Sequence, residues 1–296
     1  WDIYNRGSPQ DYNNWAAQYG LTNYSWPNML EYFLLFENNT DASIRANGLH
    51  NNVGPVAVST ETQPDPILLN LRQTMVAAGH PIIDLNDANS SPLGTAIAQM
   101  FWNNDTAIKS STANAYIEAS GNPNRTNLVI STRSTVTAIL TSMGGSHASG
   151  VRYQVRNGDS MVAFARQEVI ISAGAINTPQ VLMLSGIGPQ DHLNQLGISV
   201  VRNLPVGNNL HDMVFAPLYY KITSDQLIDG LPLFDVNNLY RYYVNADGPL
   251  AHHTDSVTTH VTTNNPNGTW PDAMIIGIVE FFNDLNGTVA QYAANT

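Results

Sequence analysis

The sequence contains no cysteine. That absence removes disulfides, thiolate zinc sites, iron–sulfur clusters and cysteine nucleophiles as explanations of what the protein does. It says little about compartment, because a chain of this size builds its core without covalent staples. Positive charge is scarce as well: 12 Lys and Arg stand against 23 Asp and Glu, for a formal net charge of −11. No basic run of the kind that neutralises phosphates occurs, which argues against a nucleic-acid partner or an anionic membrane surface. Long hydrophobic runs are missing too. A membrane-crossing helix takes about 20 apolar residues, and the best stretch, Ala273 to Phe282, is short and carries Glu280. At its start, Trp1, the sequence has no Met, no signal-like apolar stretch and no helix cap, so it reads as a piece of something longer.

What is present is enough for a folded core. The chain has 296 residues, of which 43% are hydrophobic and 12% charged, adequate for about two lobes and too apolar for global disorder. Seven Asn-x-Ser/Thr sequons begin at Asn23, Asn38, Asn89, Asn104, Asn124, Asn267 and Asn286. They suit a glycosylated, secreted or extracellular chain, although so Asn-rich a sequence yields about five by chance.

Apolar spacing organises the chain. Ser25-Trp26-Pro27 is a helix entry for Asn28 to Glu37, with Leu30, Phe33 and Leu34 on one face. Val53, Val56 and Val58 form a short strand after Gly/Asn turns. From Asp65 to Ala78, Ile67, Leu68, Leu71 and Met75 recur at helical spacing, and Gly79 stands at the left-handed stop; this predicts a core-packing helix. Residues Leu128 to Ile130, Val136 to Leu140 and Gly150 to Arg156 read as three strands of a small antiparallel unit. Glu168 to Ser172 is a continuous apolar run of buried-strand type, Ala173-Gly174-Ala175 a small-residue turn, and Thr178-Pro179 a cap for a helix from Gln180 to Ser185. A strand, a tight turn and a buried helix make the corner on which doubly wound folds place a dinucleotide, though any α/β protein has such corners.

The longer pattern is more specific. Ser172-Ala173-Gly174-Ala175-Ile176-Asn177-Thr178-Pro179 followed by a Leu-rich helix and Ser185-Gly186-Ile187-Gly188-Pro189 resembles the second signature of the glucose-methanol-choline (GMC) family of flavin oxidoreductases. Leu204 to Asp212 resembles that family's next block, from which Met213 departs where the family usually has His. Ile3 to Pro9, Asp11-Tyr12, Trp15, Tyr32-Phe33 and Glu37 resemble the stretch after the family's first flavin signature, and Ser110 to Tyr116 its Ser-plus-aromatic segment. The matches run in order over about 215 residues.

The resemblance implies an α/β fold of mixed α+β character: a partial FAD-binding doubly wound domain over 1–215, with an inserted helical and loop region at about 20–110, and part of a substrate lobe over 216–296, built on an antiparallel sheet with helices. It implies FAD as cofactor and a small-molecule alcohol or sugar as substrate, whose CH–OH group gives a hydride to flavin N5 while a His takes the hydroxyl proton. By motif position it places Trp1, Asp2 and Ile3 near the flavin ring and Val136, Ala173 and Gly174 near the adenine. The family's Gly-x-Gly-x-x-Gly loop and its C-terminal catalytic His block have no counterpart here, so the chain is expected to be an internal fragment, inactive alone, with no catalytic residue of its own. The alternative is a non-catalytic secreted protein that keeps the scaffold and has lost its sites.

Other chemistries find less support. His252 and His253 are adjacent, so on a strand they point to opposite faces; with His260 they read as structural or loop histidines, and no metal is expected. Gly145 to Gly150 has the composition of a nucleophile elbow without its spacing. Asp84 and Asp87 lie in an Asn/Asp/Ser-rich loop where turn roles are the default. Arg6-Gly7 either clamps an anion or fixes the backbone of a buried loop.

Overall fold

The computed structural model describes residues 2–46, 48–62, 64–87, 89, 91–118, 125–142, 145–220, 235–248, 250–251, 256–263 and 268–278. β1 (Ile3–Tyr4) leads into α1 (Pro9–Tyr19) through a capping box: Ser8 Oγ accepts from the Gln10 amide at 3.3 Å and Asp11 accepts from the Ser8 amide at 2.9 Å. α2 (Trp26–Phe36) carries Pro27 in its first turn, as the sequence predicts. The Ser25 hydroxyl, however, makes no capping bond and accepts instead from Asn28 Nδ2 at 3.2 Å. Next come β2 (Glu37–Asn39), α3 (Ala42–Arg45) and β3 (Val56–Thr60). α4 (Pro66–Ala77) starts where Asp65 accepts from the Ile67 amide at 2.7 Å, and Gly79 follows its end at φ 98°.

Past α4 lie β4 (Gly94–Ile97), β5 (Gln99–Met100), β6 (Trp102–Asn103) and β7 (Ile108–Lys109). β8 (Ser134–Ser142), β9 (His147–Val155) and β10 (Ser160–Phe164) form a meander; α5 (Gly174–Leu184), β11 (Ile187–Gly188), α6 (Gln190–Gln195) and β12 (Arg202–Asn203) follow. α7 (Val236–Asn245), β13 (Ser256–Val261) and β14 (Ala273–Ile278) close the description. No described helix is long and apolar enough to cross a membrane.

The chain divides into two compact units: the described residues within Trp1–Asn124 and Ile222–Thr296, and those within Arg125–Lys221. The first unit holds a sheet in the order β1-β5-β3-β2, in which only β2 and β3 run parallel, and an antiparallel sheet in the order β14-β13-β4. α4 lays Leu68, flanked by Leu69 and Leu71, on Ile97 of β4 and Val257 of β13, which is the core-packing role its spacing predicts. Gly277 of β14 sits under the same helix, where a Cβ would come within 2.1 Å of Leu71 Cδ2.

The second unit is the antiparallel sheet β10-β9-β8 with α5 against β8; the Ile139 amide donates to Ser185 Oγ at 2.7 Å just past the helix end. Three local expectations fail here. Leu128 to Ile130 lies outside the sheet and Val129 is 90% exposed; the third strand is Ser160 to Phe164, because Arg133 turns the backbone to φ 54° before β8 and the β9 edge pairs with β10. Glu168 to Ser172 is likewise not a strand, since no described strand pairs with it, and Ile170 is exposed. α5 begins at Gly174 rather than Gln180, so Pro179 falls inside it and Thr178 Oγ1 instead accepts from the Ala173 amide at 3.2 Å.

Candidate functional site

Two places carry the residues singled out by sequence. In the second unit, Val136 stands half-exposed on β8, and Ala173 and Gly174 form the entry to α5. Gly174 has φ 84° and nothing lies within 4 Å of where its Cβ would be. Residues 172–177 are all exposed. The first-turn amides of this 11-residue helix therefore open on a surface without side-chain bulk, an arrangement that lets a ligand backbone or phosphate approach closely. Small residues at Ala173 and Gly174 and an aliphatic Val136 are of the chemistry that an adenine and its backbone would take.

In the first unit, Asp2 pairs with Lys109 at 2.7 Å on the surface, and Ile3 sits half-buried in β1 opposite Met100 of β5. Trp1 lies outside the described residues, as do His252 and His253. What fixes β1 is a buried charge network that the sequence reading did not assemble. Arg6, two residues past β1, is 2% exposed; its guanidinium pairs with Glu37 of β2, donates to Tyr4 Oη and the Leu49 carbonyl at 2.8 Å each, and lies over the Phe33 ring with 5.5 Å to the centroid. Of the two readings of Arg6-Gly7, the structure realises the one in which Arg fixes buried backbone.

Glu37 is fully buried and is shared. Its Oε1 accepts from Asn39 Nδ2 at 2.7 Å and from His50 Nδ1 at 2.8 Å. The other His50 nitrogen meets Asp84 Oδ2 at 2.7 Å, while Asp84 Oδ1 accepts from Gln99 Nε2 at 2.9 Å and from the Asn86 amide at 3.0 Å. Asn86 closes the ring: its Oδ1 accepts from the Arg6 amide at 2.7 Å and its Nδ2 donates to the Tyr4 carbonyl at 3.1 Å. With a carboxylate on each ring nitrogen, both must carry protons, so His50 is an imidazolium. Burial alone would push its pKa down, but hydrogen bonds to Asp84 and Glu37 outweigh that and raise it to about 9. Asp84 is the mirror case: burial raises its carboxyl, and the His50 and Asn86 hydrogen bonds pull it below the usual range. Burial also raises the Tyr4 hydroxyl.

Two cations and two carboxylates thus cancel in a cluster in which the Arg6, Glu37 and His50 side chains are wholly buried and that of Asp84 is 13% exposed, and every ring nitrogen of His50 is spent. His50 cannot act as the base, since an imidazolium has no lone pair free to take a proton. The cluster's function is positioning: it ties β1, β2, the Leu49–His50 turn, the 84–86 loop and β5 to one another. Asp84 and Asp87 both turn the chain, accepting from the Asn86 amide at 3.0 Å and the Asn89 amide at 2.7 Å, and Asp84 is in addition a member of the network. Asp84 and Gln99 also line a cavity of about 540 Å³ with Asp41, Thr60, Leu69 and Arg72. His260 lies in β13, 8% exposed. Among the described residues no group of three or more His, Asp or Glu is placed to hold a metal ion.

Residues 1–215 match the family model described as GMC oxidoreductase. Over 213 residues the chain is 33% identical to the glucose dehydrogenase (FAD, quinone) of Drosophila pseudoobscura pseudoobscura, covering 72% of this chain and 33% of that protein. Over 225 residues it is 36% identical to the oxygen-dependent choline dehydrogenase of Ectopseudomonas mendocina, covering 75% and 38%. Among solved structures, an FAD-dependent oxidoreductase from Chaetomium thermophilum superimposes with a TM-score of 0.61 at 30% identity, over 69% of this chain and 36% of that one. The chain spans about a third of the length of the curated relatives named here.

Proposed function

This chain belongs to the GMC oxidoreductase family, and from that premise we propose that it is part of an FAD-dependent oxidoreductase acting on an alcohol or sugar-type CH–OH group. FAD, when bound, accepts the hydride released from the carbinol carbon. This chain's own residues bind and orient. Val136 offers an aliphatic face to the adenine, and Ala173-Gly174 brings the first turn of α5 within reach of the cofactor backbone. Trp1, Asp2 and Ile3 are assigned to the flavin end, with the Arg6–Glu37–His50–Asp84 network holding β1 in place. We assign residues 1–215 chiefly to the FAD-binding domain and 216–296 to the substrate lobe. We also place the protein outside the cell as a glycoprotein, on the strength of its sequons; Asn23 and Asn89 are exposed among those described.

The observation that carries the cofactor assignment is Gly174, in left-handed conformation with empty space at its Cβ position, in the register of the family's signature. Asn tolerates that conformation better than any residue but Gly, so Gly174→Asn fills the approach path with little backbone strain. In the natural polypeptide carrying this chain, Gly174→Asn is expected to lower bound flavin per protein by about tenfold, with the melting temperature measured without flavin unchanged. Full flavin occupancy in that variant would remove Gly174 from the site.

A further inference from the structure

The corner between α1 and α2 turns apolar side chains outward. Gly20 ends α1 in left-handed conformation at φ 68°, and Thr22–Tyr24 then form a single 3₁₀ turn, closed where the Tyr24 amide donates to the Leu21 carbonyl at 2.8 Å. The turn is pinned toward α2: the Thr22 carbonyl accepts from the Ser25 amide at 3.2 Å and from Asn28 Nδ2 at 3.1 Å. With three residues per turn, Leu21 and Tyr24 fall one above the other. Tyr19, Leu21 and Tyr24 are 63%, 44% and 51% exposed. Large apolar groups gathered on one exposed corner mark a place that something covers.

Asn23 lies between Leu21 and Tyr24 and heads a sequon completed by Ser25. It is exposed, and among the described residues no hydrogen bond holds its side-chain amide. The sequons at Asn38 and Asn104 are placed differently. Asn104 is clamped against β3, its Nδ2 donating to the Thr60 carbonyl at 3.0 Å and its amide to Ser59 Oγ at 3.3 Å. Asn38 is half-buried in the middle of β2, with Ala57 of β3 on one side and Asn52 on the other, and its sequon hydroxyl, Thr40 Oγ1, is engaged with Ser59 Oγ at 2.8 Å. Asn89 is exposed, while Ser90 of its sequon lies outside the described residues. An N-linked glycan is bulky and hydrated, so the fold admits one at Asn23 and excludes one at Asn38 or Asn104.

We propose that Asn23 is an N-glycosylation site, modified where Asn38 and Asn104 are not, and that its glycan shields the Leu21 and Tyr24 corner. The transfer forms a bond between Asn23 Nδ2 and C1 of the first N-acetylglucosamine. It breaks the bond from that carbon to the pyrophosphate of a lipid-linked oligosaccharide donor; the lipid pyrophosphate leaves and the amide gives up one proton. The sugar's C–H face then has the exposed Tyr24 ring to lie on. This inference rests on the extracellular placement proposed above and names the residue that is modified.

The test produces the natural polypeptide carrying this chain in a eukaryotic secretory host. The secreted, folded protein is mapped by peptide mass spectrometry after enzymatic release of N-glycans, which leaves Asp at each glycosylated Asn. Asn23 is expected to read as Asp in most molecules, and Asn38 and Asn104 as Asn. Asn23→Gln and Ser25→Ala should each lose one glycan and bind more of a dye specific for apolar surface, whereas Ser25→Thr should keep both the glycan and the dye binding of the wild type. An unmodified Asn23 beside another occupied sequon would overturn the inference and leave the extracellular glycoprotein reading standing. A glycan at Asn38 or Asn104 of the folded protein would overturn it as well, as would dye binding unchanged in both glycan-free variants. A polypeptide that the host does not secrete, or secretes without any N-glycan, would overturn the inference and the extracellular placement together.

Discussion

Glu37→Gln is expected to destabilise the protein by about 3–5 kcal/mol, the cost of leaving buried charge without its partner. The Glu37 side chain is wholly inaccessible and stands between Arg6 and His50. An amide of the same shape keeps the volume and removes the charge, so two cations then face one remaining carboxylate, Asp84. Neither cation has an inexpensive way out: Arg6 does not deprotonate, and His50 can lose its proton only by giving up a hydrogen bond to a carboxylate. Equilibrium urea unfolding of the wild type and variant reads the difference. A double variant, Arg6→Met with Glu37→Leu, should be less destabilised than the sum of the two single changes, because it removes the pair together. A loss below about 1 kcal/mol for Glu37→Gln would place the carboxylate in contact with water.

The second large effect is with pH, and its sign follows from the direction of each shift. His50 is raised in the folded protein from an ordinary value near 6.5 to about 9. Its contribution is therefore complete below pH ~6.5 and disappears as pH rises through about 9, an alkaline loss on the order of 3 kcal/mol. Asp84 is lowered, so its contribution is present above the ordinary carboxylate pKa of about 3.9 and is lost as pH falls through the folded value. The network predicts a stability plateau between about pH 4 and 6.5. Urea midpoints measured from pH 4 to 10 should fall on the alkaline side, and His50→Gln should flatten that fall at the expense of a lower plateau. An alkaline limb of equal slope in His50→Gln would assign the effect to other groups.

Local residues explain what could be read before the fold was known. The Asp65 cap, the 3.6-residue apolar spacing and Gly79 lie within one segment, so α4 was legible to within a residue at each end. The signature from Ser172 to Pro189 identified the family because its small residues and its Gly186-Ile187-Gly188 turn are set by short-range geometry. Gly186 sits at φ 80°, where a Cβ would come 2.4 Å from the Ser199 carbonyl oxygen. The start of α5 was misplaced because Pro179 normally marks a first turn, whereas here it lies inside the helix.

The charge network was invisible for a different reason. Arg6, Glu37, His50 and Asp84 are scattered over almost eighty residues, each in a stretch rich in other polar side chains, and only tertiary pairing brings them together. One signal was available: Arg6 and Glu37 both fall within the family-like opening stretch. That the Ser256 and Thr258 hydroxyls are buried with no hydrogen-bond partner among the described residues could not be read either. A Ser-Val-Thr-Thr-His-Val strand carries no mark of which face is packed until α4 is seen to cover Val257.

The proposed function requires a bound flavin that takes hydride from a carbinol carbon. Its most direct test is the visible spectrum of the natural polypeptide carrying this chain, purified without added cofactor and titrated anaerobically with D-glucose, sorbitol and 1-butanol. The account predicts a yellow protein with about one FAD per chain, whose visible absorbance bleaches on addition of at least one of these alcohols. A colourless protein that neither retains nor takes up FAD, or a flavin whose spectrum none of them changes, would contradict it.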